Sequence, residues 1–437
     1  MKANIFNDAS RSSNKRSGFA SLLLALGLVE NAHAYWLMAA NNVLTTQRID
    51  PIVDTGQVST HAHSILGASN FGLNTSTAAL RLSDCTSIPV REDKSNYCIH
   101  AVLVDRYAWG DNGLSGRFPD VLRRVPPPVL VPKNHSQDSV GDPTLRTFDP
   151  SSFAQQAVTF LCLDFNGASA RFNELPRRRC PSGIRSQINF PSCWDGINTD
   201  SVDHQSHVAF LSSGPDNGTC SDPQFPKTLP RIFLEVYWYT QAFDDFRRQA
   251  KVPSQPFVFS NGDPIDYSYH ADFINGWDVG VLERAVNECN CNPYGDPSCC
   301  VAKGIFSMNQ SSRCYISDTV DELSAPVLLL FRGRPNKGHH LTALGTLDAL
   351  PGNNPVQAHC YERFIDFITP ALLSPVHVFN STDQPPPRGT TARPAQTAIV
   401  SQRVTGRCIG NSTQSLHPIG VMTILSVLVL LSVRALV

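Results

Sequence analysis

An excess of charge of either sign is missing from this sequence. Its 437 residues carry 36 Lys+Arg against 37 Asp+Glu, a formal net charge of −1, and charged residues make up only 17%. The basic surplus that phosphate backbones demand is absent, which argues against nucleic acid as a partner. So little charge beside 32 Pro excludes a long coiled coil, collagen and a disordered polyelectrolyte. P-loop, Rossmann and G-x-S-x-G signatures are lacking, as is an internal repeat and the zinc-binding H-E-x-x-H. Long hydrophobic runs occur only near the two ends. What remains is an ordinary apolar fraction of 41%, enough for one large domain or two smaller ones.

Both ends read as addresses. Lys15 and Arg16 precede the apolar run Phe19 to Val29, and Ala32-His33-Ala34 places small residues at a cleavage site, so residues 1–34 are expected to be a secretory signal. At the other end, Ile419 to Val437 is apolar but for Arg434 and has no basic stop behind it. Gly410-Asn411-Ser412 supplies three small residues, followed by the polar spacer Thr413 to Pro418. That order suits a glycosylphosphatidylinositol (GPI) attachment signal, with a single membrane helix as the alternative. The expected location is the cell surface, on the outer face of a membrane.

Secretion predicts disulfides and glycans. There are 13 Cys, and N-x-S/T acceptors begin at Asn74, Asn134, Asn217, Asn309, Asn380 and Asn411. The six cysteines at 85, 98, 162, 180, 193 and 220 form an even set able to close among themselves. Five more crowd between 289 and 314, where an oxidising compartment favours a disulfide knot over a thiolate metal cluster. An odd total leaves one thiol free or paired between chains.

The mature chain divides by character. Residues 35–288 hold short β-rich runs broken by turn residues, including VTFLCLD from Val158, SQINF from Ser186, HVAFL from His207, RIFLEVYWY from Arg231 and PFVFSNGD from Pro256. This pattern predicts a mainly β fold, a β-sandwich or jelly-roll-like domain with a few short helices. Val281, Leu282, Ala285, Val286 and Cys289 recur at helical spacing, with Asp278 as a candidate cap. Residues 289–379 form a cysteine-rich extension with an apolar run at Val327 to Phe331 and an expected helix around Glu362 to Ile368. Residues 380–412, rich in Pro and Thr, suggest an extended stalk, and 413–437 are the anchor signal or membrane segment. Arg123 to Pro132 suggests an exposed proline loop.

Histidine carries the most informative clustering. Ser59-Thr60-His61-Ala62-His63 puts two imidazoles at i and i+2, which point the same way on an extended strand. His204 and His207 follow Asp203, an acidic neighbour able to orient either ring, and His270 is followed by Asp272. Each taken singly is more often a structural histidine than a ligand. Together they suggest one shared site on which His61, His63 and His270 converge with either His204 or His207, with His61, His63 and His204 as candidate ligands of one divalent metal ion. His207, His270, Asp272 and Glu235 are the candidate acid/base groups. In the Arg231 to Thr240 run, Glu235 alternates onto the face of Phe233, Tyr237 and Tyr239, which suits either a general acid or a buried carboxylate satisfied by an arginine. Trp194, Tyr237 and Trp277 are candidate platforms for sugar rings.

Several stretches resemble one known family in order: Q-R-I-D-P-I-V from Gln47, S-T-H-A-H-S-I-L-G-A-S-N-F from Ser59, D-K-S-N-Y from Asp93, G-D-P-T-L-R from Gly141, F-P-S-C-W-D-G-I-N-T-D-S-V-D-H-Q-S-H from Phe190, and F-S-N-G-D-P with Y-H-A-D-F-I-N-G-W-D after Phe259. Together these resemble the secreted fungal DUF1996 family, whose members often carry WSC carbohydrate-binding modules. The resemblance covers about residues 35 to 290 and implies a compartment and domain limits rather than an activity. Where the family usually has a cysteine and a tryptophan, this chain has Ile88 and Cys98, and the exchange implies a Cys85–Cys98 bridge. The histidine of a C-P-x-x-H-P-like segment is missing from Cys220 to Pro226, and no WSC module follows.

Three functions compete. One is a cell-surface enzyme, a carbohydrate-active hydrolase or metal-assisted enzyme acting on cell-wall polysaccharide. The second is a polysaccharide-binding glycoprotein without turnover, and the third is a structural wall protein. An enzyme needs the histidine groups together in one place.

Overall fold

A computed structural model describes residues 36–105, 138–140, 142, 144–265, 267–289, 291–292, 295–322, 346–347, 349–359, 361–383, 386–397, 422–424 and 427–433. The signal run, the proline loop at Arg123 to Pro132, Asn134, the apolar run Val327 to Phe331, Cys360, Cys408, and Gly410 with Asn411 lie outside the described residues.

The chain is mainly β, built from antiparallel sheets with few helices. A five-stranded sheet runs in the order Thr45–Gln47, His63–Gly67, Asn96–His100, Ala271–Ile274, Asp138–Val140. A six-stranded sheet runs Trp36–Ala39, Val427–Val433, Phe233–Trp238, Ile184–Asn189, Val158–Cys162, Ala170–Phe172. Period-two alternation decides what each strand face meets. In the five-stranded sheet, Leu66, Tyr97, Ile99, Ala271 and Phe273 share one core with Phe160, Ile184, Ile188, Leu234, Val236 and Trp238 of the six-stranded sheet. Two sheets closing on a common apolar layer make a sandwich. The opposite face of the five-stranded sheet sends Ile65 and Cys98 into a second core with Leu44, Ile49, Cys314, Ile316 and Val320. This strand ends at Gly67, whose φ of 115° and close approach to the Ser95 carbonyl leave no room for a Cβ.

The helix Val281–Glu288 forms where the apolar spacing places it, burying Leu282 and Ala285. Its cap is Gly280, not Asp278, whose carboxylate instead lies 3.4 Å from Lys94 Nζ. No helix forms at Glu362 to Ile368: residues 362–367 are irregular, and Ile368–Thr369 is a strand paired with Gln396–Thr397. Part of the expected stalk therefore folds back, since Thr390–Arg393 also pairs with Leu372–Ser374. Met422–Ile424 and Val427–Val433 in the apolar tail run as strands, the second between Trp36–Ala39 and Phe233–Trp238. Among the described residues no helix is long and apolar enough to cross a membrane.

Cysteine pairing departs from the expectation at one bond. Cys162–Cys180 and Cys193–Cys220 close locally, and Cys289–Cys300 with Cys291–Cys299 form the knot. Cys85 bonds to Cys314, 229 residues away, and Cys98 is a free buried thiol. The reason is register: Cys98 is held in a central strand between Ile65 and Asp272, where its side chain fills the second core beside Cys314.

Candidate metal centre

The site begins as a row across the five-stranded sheet. Register pairs Gln47 with His63 and His63 with His100, while the His100 amide donates to the His270 carbonyl at 3.3 Å. Residues paired across antiparallel strands share a face, so His63, His100 and His270 stand side by side. One step along, the next row is Thr45, Ile65, Cys98 and Asp272. Two-residue spacing brings His61 to the same face as His63. The Ser260 hydroxyl pins the residue between them, donating to the Ala62 carbonyl at 2.9 Å and accepting from its amide at 3.1 Å. Arg48 holds the preceding Ser59 carbonyl at 2.7 Å.

His270 is the centre of the group. Its Nε2 lies 3.1 Å from His61 Nε2 and 2.9 Å from His63 Nε2. Its Nδ1 lies 2.7 Å from the Ser268 carbonyl, which can only accept, so the proton sits on Nδ1 and Nε2 presents a lone pair. Two ligand sets share this nitrogen. The ligand atoms of His61, His100 and His270 lie within 4.8 Å of one another, and so do those of His63, His270 and Asp272. Because one nitrogen holds one ion, the sets are alternatives. His100 spends both nitrogens elsewhere: Nδ1 donates to the Ser268 carbonyl at 3.2 Å, and Nε2 accepts from the Asn261 amide at 3.3 Å. The set of His63, His270 and Asp272, with His61 adjoining, therefore fits an ion better. A tetrahedral ion with bonds of about 2.0–2.1 Å separates its nitrogen ligands by about 3.3 Å, within a few tenths of the spacing already present.

Electrostatics keep these rings neutral. Burial is the largest cause of a lowered pKa for His61, His63, His100 and His270. His63 comes down to about 4, with burial and the neighbouring His270 lowering it and the Asp50 carboxylate opposing them. His61 is lowered further by the other three rings and by Arg363. Neutral imidazoles are the form that binds metal. His63, His100 and Asp272 are fully buried, whereas His61 and His270 are partly exposed, so the group opens on one side.

The remaining candidates lie elsewhere. Glu235 is in the six-stranded sheet, 3.1 Å from Arg185, the arginine-satisfied carboxylate of the two readings above. Tyr237 shares that arginine, accepting from it at 2.9 Å. His204 pairs with Asp200 at 2.8 Å, and His207 Nδ1 lies 3.0 Å from the Ser201 hydroxyl, both beside the small sheet of Cys193–Trp194 and Val208–Ala209. Neither belongs to the ligand sets around His270. Trp277 is 2% exposed and packs against Phe306, which removes its face from any sugar, while Trp194 is half-buried. Asn74, Asn217, Asn309 and Asn380 are exposed. Sequence reasoning missed His100 and Asp50. The alternation Asn96, Cys98, His100 against Tyr97, Ile99 was a usable signal for His100, but it needed the register with His63 to acquire meaning.

A family model described as "Domain of unknown function (DUF1996)" matches residues 50–115 and 131–277, and the chain belongs to that family. The matched stretches contain His61, His63, His100, His270 and Asp272. No curated protein and no solved structure matches the chain.

Proposed function

We propose that this chain is an extracellular metal-dependent hydrolase acting on cell-wall polysaccharide, its ion held by His63, His270 and Asp272 with His61 alongside. The observation that carries the reading is the position of His270 Nε2, 2.9 Å and 3.1 Å from two other ring nitrogens with its proton held away on Nδ1. Three neutral rings and a carboxylate satisfy the preference of zinc and similar divalent ions for nitrogen and oxygen donors. Such an ion supplies a bound water acidic enough to attack near neutral pH. The Ser268 carbonyl orients His270, Ser260 fixes the His61–His63 spacing, and the partly exposed His61 side admits substrate. The leader, the exposed glycan acceptors and the disulfides support an exterior location, and the Gly410 to Ser412 triplet supports a lipid anchor there.

The test is release of reducing ends from β-glucan, chitin and mannan by the secreted ectodomain. Release abolished by chelation and by His63→Ala supports the reading. A folded, metal-loaded protein that releases nothing supports a polysaccharide-binding protein without turnover instead.

A further inference from the structure

Among the described residues, away from the histidine group, lies a polar concavity built by a different sheet and different residues. A pocket of about 360 Å³ lies beside the ends of Ile184–Asn189 and Ala170–Phe172, lined by Arg171, Asn173, Asn189, Gln156, Asp216 and Phe148 among others. The volume is within the range of small-molecule sites. Its chemistry is distinctive. Three side-chain amides provide both donors and acceptors, and Arg171 and Asp216 carry opposite charges, the Asp216 carboxylate lying 3.9 Å from Arg231. A wall with no net charge and many paired donors and acceptors selects a neutral ligand rich in hydroxyls over an anion or a cation.

Asn189 makes the pocket more than a surface dent. It is 7% exposed, and its Oδ1 is buried without a hydrogen-bond partner. A buried amide oxygen left unpaired carries its full desolvation penalty, so such groups are uncommon unless a ligand or water completes them. The backbone around it is already satisfied, since the Asn189 amide donates to the Ala157 carbonyl at 2.9 Å. The glycan acceptor Asn217 directly follows Asp216 in the wall, and it is exposed.

We infer that this pocket is a carbohydrate subsite, completed by sugar hydroxyls bonded to Asn189, Asn173, Arg171 and Asp216. Two sources offer that chemistry: a wall polysaccharide, or the glycan carried on the neighbouring Asn217. The inference is independent of the histidine centre, so neither metal content nor turnover bears on it.

The experiment measures binding of β-1,3-glucan, chitin and mannan hexasaccharides by calorimetry to the secreted mature chain and to Asn217→Gln. Binding to both identifies the external polysaccharide as the ligand. Binding only to Asn217→Gln identifies the chain's own glycan as the occupant it displaces. In either case Asn189→Leu and the less buried Asn173→Ala, made in the binding-competent background, should weaken affinity at least tenfold with the melting transition retained. No binding to either protein, or binding that both variants leave unchanged, would overturn the assignment.

Discussion

His63 and His270 flank the strand Asn96–His100, so their backbones are two strand spacings apart, about 9–10 Å, yet their Nε2 atoms lie 2.9 Å from each other. Two rings that lean together over an intervening strand, with a third at 3.1 Å, form a pre-shaped donor set. In the metal-free protein the burial of these rings, together with their closeness, has a pH signature. Folded His63 is lowered to about 4, and His61, His100 and His270 are lowered as well, while unfolded histidine titrates near 6.5. The unfolded state then binds more protons, so their contribution to stability is complete above about 6.5 and is lost as pH falls towards 4. Urea melts of the chelated protein should show that decline, and His63→Gln should flatten it.

Asp93 works in the opposite direction. It is 1% exposed, and burial raises its carboxyl to about 6 despite hydrogen bonds from the Ser95 amide at 3.0 Å and the Tyr97 hydroxyl at 2.9 Å. Here the folded state binds the extra proton, so stability falls as pH rises from about 4 to about 6. Asp93→Asn should remove that slope and leave the histidine-dependent decline intact. A variant melting with the same pH profile as wild type would contradict the assignment.

The Cys85–Cys314 bond ties the loop before Thr86 to the segment entering Tyr315–Ile316. Cys85→Ser with Cys314→Ser should lower stability by about 2–4 kcal/mol. Non-reducing peptide maps should recover the 85–314 pair, with Cys98 alkylated only after denaturation. Recovery of a Cys85–Cys98 peptide would contradict this pairing.

Much of the fold was legible because short-range periodicity governs it. The runs at Val158, Ile184, Phe233 and Phe257 became strands, and the alternation around Glu235 buried Leu234, Val236 and Trp238 as the period of two requires. His61 with His63, and His270 with Asp272, were visible as pairs because each pair spans only three consecutive residues at the entry to one strand. Long-range register was not visible. Nothing local says that Cys85 pairs with Cys314, that His100 stands between His63 and His270, or that His204 and His207 serve a different sheet. A helix was expected around Glu362 to Ile368, yet residues 362–367 are irregular and the chain instead enters a short strand at Ile368, paired with Gln396–Thr397.

The C-terminus offers a separate check on location. If Gly410 to Ser412 is an attachment signal, phosphatidylinositol-specific phospholipase should release the protein from intact cells. Mass spectrometry should then find no residue beyond 412, so the strand Val427–Val433 would be missing from the mature sandwich. Retention on the membrane with 413–437 present would favour the membrane-helix reading.

The most direct measurement is the metal content of the secreted ectodomain by inductively coupled plasma mass spectrometry, beside His270→Ala and Glu235→Gln. Because His270 belongs to both ligand sets and Glu235 to neither, the expected result is about one divalent ion per chain in wild type and Glu235→Gln, with at least a tenfold loss in folded His270→Ala. Wild-type protein that stays metal-free after exposure to zinc, copper, iron and manganese, or a His270→Ala variant with undiminished occupancy, would contradict a metal centre at His270.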